Sequence, residues 1–285
     1  MTKESAMQSA NRYISEGNRD VKGWCDGVDM RLARDISRLQ QDAGVTGHSA
    51  EIGVHHGKLF ILLALLTGAD ERSVAVDVFA EQSQNTDQSG QGDESIFLGN
   101  MGRHAPERPT PEILRTDSLK IGGTDIEAAA GGKVRLFSVD GGHTPECAEH
   151  DMQTAQDCLI NGGVILLDDY SNARWPGVCE GTNRFMAGAG ARPVPFAITN
   201  SKAYFASDAE SAKGYLDGLQ KMGFETEHAL TQMFGQPVVY VAGKRLTLAR
   251  RIGTSPGWRR FRETPLGAAI RGLVNAVTGS GNRAG

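Results

Sequence analysis

Residues 162–177, GGVILLDDYSNARWPG, run an apolar stretch directly into two adjacent carboxylates, Asp168 and Asp169, and then into Trp175-Pro176-Gly177. A second stretch, KVRLFSVDGGH at 133–143, ends on Asp140 with His143 three residues further on. A third, SAEIGVHHG at 49–57, carries Glu51 inside its apolar run and closes on Gly53 and Gly57. In parallel sheets ligands sit beyond the carboxyl ends of the strands, so these acids stand where a ligand would. The plainer reading is that Asp168 or Asp169 starts a turn, since Asp bends chain well. Glu51 is harder to explain that way: an unpaired buried carboxylate is costly, and an acid there makes sense if it faces a ligand's ammonium group. Gly53 and Gly57 bound a strand-to-helix turn where backbone amides approach a ligand closely and a helix N-terminus favours negative charge. Asp77, at the end of the next strand, is placed to take both hydroxyls of a ribose.

The elements needed to position these groups alternate along the chain. DMRLARDISRLQQDAG (29–44) spaces Leu32, Ile36 and Leu39 as a helix that closes on Gly44 and covers the N-terminal side. Residues 49–79 read as strand, turn, apolar helix, loop and strand, one βαβ unit. EILRTDS (112–118) and residues 133–143 are strands ending on Asp117 and Asp140. PECAEHDMQTAQDCLINGG is a helix with Ala148, Met152, Ala155 and Leu159 on one face and a Gly162-Gly163 stop. The run VILLDDY follows as a buried strand. Such alternation predicts an α/β, doubly wound, mostly parallel Rossmann-like sheet. Later runs, VPFAITNSKAYFAS and GFETEHALTQMFGQPVVYVAG, with a helix near 208–222 between them, supply an antiparallel edge. The expected division is a helical cover at 1–47, one catalytic domain at 48–243 and a basic tail at 244–285. Residues 80–95, AEQSQNTDQSGQGDES, offer almost nothing to bury and read as a lid over the strand ends.

Composition excludes several classes. No apolar run approaches the ~18 residues a bilayer span needs, and the polar opening MTKESAMQSANRYISEGNRD carries no leader pattern, so a cytoplasmic protein is expected. Cys25, Cys147, Cys158 and Cys179 lack any C-x-x-C spacing and suggest neither a zinc cage nor a disulfide framework. The net charge of −4 hides an asymmetry: residues 244–285 hold nine Lys or Arg against Glu263 alone, a tail of +8 on a body of −12. An acidic body repels phosphates, which argues against nucleic acid as a partner. The tail mixes Arg with Leu, Ile, Trp and Phe, a pattern suited to peripheral contact with an anionic membrane face or to a solvated end.

VDGGHTPECAEHD followed by NGGVILLDDYSNARWPGV resembles the V-D-G-x-H and G-G-x-x-x-x-D-D-Y elements of the class I S-adenosylmethionine-dependent methyltransferases, and within them the metal-dependent O-methyltransferases that act on sugars of macrolide and aminocoumarin antibiotics. The resemblance covers roughly residues 48–200. It implies that Glu51, Gly53 and Gly57 cradle the methionine part of S-adenosylmethionine, that Asp77 holds ribose, and that Asp117 and Ser118 lie near adenine, with Asp140 also at the cofactor. It further implies that Asp140, Asp168 and Asp169 bind a divalent cation, usually Mg²⁺. Three converging carboxylates repel one another unless a cation neutralises them, and hard oxygen ligands suit Mg²⁺. Such an ion lowers the pKa of an acceptor hydroxyl. His143, just past a strand end, then reads as the general base, with Asp140 the alternative; a surface or capping histidine is the plainer view. His55 and His56 read as packing residues, and Trp175 as a platform for a sugar face or an ordinary apolar anchor.

The expected partner is a small-molecule or glycan acceptor, and a homo-oligomer is compatible with the sequence. The rival enzyme is a catechol or phenol O-methyltransferase using the same acids. An NAD-binding oxidoreductase is disfavoured by the missing G-x-G-x-x-G, and a silent Rossmann-like binding module by the intact acids, which would destabilise the fold without a cation.

Overall fold

The computed structural model describes residues 3–81, 83, 85, 89–222, 230–241 and 264. Its centre follows from a period-two alternation in two strands, β4 (Val134–Val139) and β5 (Leu159–Leu167). Leu136, Val164 and Leu166 enter one apolar layer, whereas Phe137, Val139, Ile165 and Leu167 enter another. Strands apolar on both faces need a layer of helices on each side. One face is covered by α1 (Lys3–Ser15), α2 (Gly27–Asp42), α3 (Phe60–Leu66), α4 (Glu94–His104) and α8 (Ala209–Met222). The other is covered by α5 (Gly123–Ala130), α6 (Pro145–Cys158) and α7 (Pro176–Ala187).

With β1 (His48–Ile52), β2 (Ser73–Asp77), β3 (Glu112–Arg115), β6 (Val194–Ile198), β7 (Ala203–Ala206), β8 (Thr231–Met233) and β9 (Gln236–Tyr240), the sheet order is β3-β2-β1-β4-β5-β7-β6-β9-β8. Strands β1 to β5 are mutually parallel. Strand β7 turns the sheet antiparallel against β5, and β6 is antiparallel to β7. The expected α/β sheet with an antiparallel edge is therefore the observed one. The edge also contains a parallel pair, β6 with β9.

Three local expectations are revised. The cover helix runs Gly27–Asp42, with α1 before it. The helix expected to stop at Gly162-Gly163 ends at Cys158, and Leu159 to Gly163 open β5 instead. Leu159 leaves the helix extended, at φ −71° and ψ 138°, and β5 pairs with β4 already at Val134–Leu159, so strand pairing overrides the glycine signal. Helix α4 begins at Glu94, capped by Asp93 accepting from the Ile96 N–H, which takes the end of the polar loop into regular structure. Residues 82, 84 and 86–88 of that loop, 223–229 and the tail other than Thr264 lie outside the described residues, and with the tail the membrane reading, whereas Asn85, Ser89, Gly90 and Gly92 of the loop line a cavity at the strand ends. Among the described residues no helix is long and apolar enough to cross a membrane.

A buried polar tie fixes α2 to the sheet. Arg135, at the amino end of β4, donates to Gln40 Oε1 (2.7 Å), Ser37 Oγ (3.2 Å) and Leu66 O (2.6 Å), and pairs with Glu71 (3.2 Å). Gln40 in turn donates to Arg135 O (2.8 Å) and Gly162 O (3.1 Å). Buried charges persist when paired and hydrogen-bonded in this way.

Candidate functional site

The carboxyl ends of β1, β2, β4 and β5 open into a cavity of about 590 Å³, within the range of small-molecule sites. Chain geometry at its floor depends on Gly53. At φ +83° it occupies the left-handed region, and a Cβ there would lie 1.7 Å from the Asp140 carbonyl oxygen, so the Asp140 backbone can pass this close to the end of β1 only with glycine there. Gly57, at φ +89°, does not line the cavity: it lets the chain enter α3 beneath Phe97, whose ring a Cβ would meet at 2.7 Å.

Glu51, Gly53, Asp77, Asp117 and Ser118 all line this cavity. Glu51 is buried, its Oε2 has no hydrogen-bond partner, and burial pushes its carboxyl up to about 8, with Lys202 acting the other way. Asp77 accepts from the His55 N–H (2.7 Å) on one oxygen and the Phe79 N–H (2.6 Å) on the other. Burial raises the Asp77 carboxyl although those amides oppose it. Asp117 also does the plainer work of a cap, accepting from the Leu119 N–H at 3.1 Å. His55 packs between the rings of Trp24 and His56, at 5.4 and 4.0 Å, and burial first, then His56, lowers it to about 4, so it is neutral at ordinary pH.

The remaining acids line the same cavity but have different partners. One ligand atom each from Asp140, His143 and Asp169 lie within 4.8 Å of one another, a set that could hold a cation. His143 Nε2 lies 3.1 Å from Asp169 Oδ2, and its ring stacks on Trp175 with centroids 4.2 Å apart and planes at 19°. Asn172 donates to Asp169 Oδ1 at 2.7 Å. Burial works to raise Asp169, yet His143 and Asn172 outweigh it and hold the carboxyl below its usual range. Asp169 sits at φ +58°, a conformation Asp tolerates better than most residues and one that gathers at functional sites. Burial, then the charge of Asp168, pushes Asp140 well above the usual carboxylate range, with Lys202 opposing. A buried acid in that condition suits an added positive charge. Asp168 is turned elsewhere: Oδ1 accepts from the Asp169 N–H (2.9 Å) and Oδ2 lies 2.5 Å from Lys202 Nζ.

Lys202, the ion-pair partner of Asp168, is not singled out by the sequence. It lies in TNSKAYFAS, where a lone Lys before an apolar strand reads as solvated, and it is 1% exposed. Asp29 was missed too, read only as the start of a cover helix. It is fully buried and accepts from the hydroxyls of Thr199 (2.8 Å), Ser201 (2.8 Å) and Tyr204 (2.6 Å). Trp24, 71% exposed, lines the cavity from the segment before α2.

Residues 50–170 match a family described as a methyltransferase domain. Among solved structures, the O-methyltransferase NovP is similar at 14% identity and a TM-score of 0.51, over 63% of this chain and 80% of NovP. CalS11, a TDP-rhamnose 3'-O-methyltransferase of calicheamicin biosynthesis, is similar at 14% identity and a TM-score of 0.45, over 71% of this chain and 93% of CalS11. An O-methyltransferase from Bacillus cereus in complex with SAH gives 16% identity and a TM-score of 0.45, over 72% and 92%. No curated protein sequence matches the chain.

Proposed function

We propose that this chain, which carries a methyltransferase domain on a class I methyltransferase fold, is an S-adenosylmethionine-dependent O-methyltransferase that uses a divalent cation such as Mg²⁺ and acts on a hydroxyl of a sugar or glycosylated metabolite. The observation that carries the reading is the pairing, in one cavity, of a buried Glu51 whose Oε2 has no hydrogen-bond partner with the Asp140–His143–Asp169 group. Glu51 Oε2 lacks the partner that a ligand's ammonium would give it, and Asp77 lines the same cavity as an acceptor for a hydroxyl. Oxygen donors at Asp140 and Asp169 fit a hard cation. Bound S-adenosylmethionine would supply an electrophilic methyl, and a cation would lower the pKa of the acceptor hydroxyl.

His143 takes the hydroxyl proton in this reading. Asp169 fixes the imidazole from one side through Nε2, and Trp175 fixes the plane of the ring. What remains is to hold the acceptor oxygen in line with the methyl, and good orientation can supply roughly 7–11 kcal/mol of such a barrier. The sugar preference rests on the resemblance of VDGGH and GGVILLDDY.

The test is to incubate the protein with methyl-labelled S-adenosylmethionine and a glycan or metabolite extract, with Mg²⁺ and with excess chelator. Label on a sugar hydroxyl that disappears in chelator, while S-adenosylmethionine still raises the Tm, is the expected result. Full transfer in chelator removes the cation, and label on a phenol removes the sugar.

A further inference from the structure

The register of the antiparallel edge sets a lysine against the end of β5 that carries Asp168. Leu167 of β5 pairs with Ala203 of β7, so the next positions outward, Asp168 and Lys202, face each other across the pair. The ammonium is placed by a built support. Lys202 N–H donates to Thr199 Oγ1 (2.9 Å) and Thr199 N–H to Lys202 O (2.8 Å), which closes the turn on itself. Three hydroxyls of the same hairpin converge on Asp29 in α2 and pin that turn to the helix layer. The resulting ion pair is enclosed, with the side chains of Lys202 and Asp168 1% and 11% exposed.

Charge counting gives this pair a purpose. Asp140, Asp168 and Asp169 carry three negative charges when ionised, and with the lysine the cluster totals −2, which one divalent cation neutralises. Asp169 reaches His143 and Asn172 on the cavity side, whereas Asp168 is held by its own cation. We propose that Lys202 is a positioning residue that reserves Asp168, so that a divalent cation is held by the carboxylates of Asp140 and Asp169 and not by all three acids. The inference rests on the cation-dependent reading above and narrows its ligand set.

Mn²⁺ binding to the full-length protein, followed by the paramagnetic resonance of the free ion, tests it alongside the Tm. Lys202→Met releases Asp168 to the cavity and should tighten Mn²⁺ by about tenfold, since ligand charge sets such affinities. The double variant Asp168→Asn/Lys202→Met removes no net charge and no ligand, so it should bind within about threefold of the parent and recover most of any Tm lost by either single change. Where Lys202→Met alone does not fold, the double variant carries the test. Loss of Mn²⁺ affinity in the double variant as large as in Asp140→Asn overturns the inference and returns Asp168 to the ligand set. A parent protein that binds no Mn²⁺ overturns the cation reading itself.

Discussion

Nε2 of His143 lies 3.1 Å from Oδ2 of Asp169, so the histidine proposed as the base is oriented by one of the acids proposed to hold a cation. Replacing His143 by Ala should lower kcat by on the order of 10² to 10⁴, the usual worth of a positioned base, with little change in S-adenosylmethionine affinity. His143→Gln still hydrogen-bonds but takes no proton, and should be nearly as slow. Single-turnover methyl transfer measured on both variants checks this. Turnover of the Gln variant close to the parent would leave proton transfer to Asp140.

Cofactor binding should depend on pH through Glu51. Its carboxyl is pushed up to about 8 by burial, above its unfolded value, so its protonated form is the one the empty fold favours. Its contribution to stability is therefore fully present below the unfolded value and lost as pH rises through about 8. An ammonium-bearing ligand needs the ionised form, so its affinity should rise toward pH 8, by up to about tenfold per unit, with release of a proton on binding. Calorimetry of S-adenosylhomocysteine in buffers of different ionisation enthalpy measures that proton. Glu51→Gln should bind weakly and without it, and an unchanged pH slope in that variant would refute the assignment.

Arg135 lies away from the cavity and should matter to stability alone. Arg135→Ala removes the ion pair with Glu71, which keeps the N–H groups of Gly47 and Gly68, and leaves the Gln40 oxygen without this donor, and should destabilise the fold by about 1–3 kcal/mol. Denaturant unfolding reads the loss. The fraction that remains folded should bind S-adenosylmethionine normally, and a specific loss of binding would show that α2 reaches the site through this residue.

At Gly53 the expectation is harsher. A methyl group 1.7 Å from the Asp140 carbonyl, on a backbone at φ +83°, cannot be accommodated without moving β1 from β4. Gly53→Ala should abolish cofactor binding even where circular dichroism still reports helix and strand. Retained binding in a titration would mean that the two strand ends move independently.

Which parts of this were legible in the sequence follows from the range of the interactions. Glu51, Asp77, Asp140 and Asp169 each end or interrupt an apolar run, and a run's burial is visible locally, so their arrival in one cavity could be expected. Lys202 shows no such signal: its partner is 34 residues away and its burial depends on the register of β5 with β7. Asp29 acts over 170 residues or more, through hydroxyls that on their own look like turn formers. The misplaced end of α6 has the same origin. Gly162-Gly163 carries a local stop signal, but pairing with β4 is decided by another part of the chain.

The Asp29 support bears on how much of the chain the cavity needs. The stretch that matches the methyltransferase family, 50–170, contains Glu51, Asp77, Asp117, Asp140, Asp168 and Asp169 of the cavity, yet neither Asp29 nor the hairpin that Asp29 pins. A graft or excised fragment made from the family stretch alone would keep the acids and lose their balancing charge. Any transplantable version of this site must carry α2 and the β6–β7 hairpin with it as one inheritance.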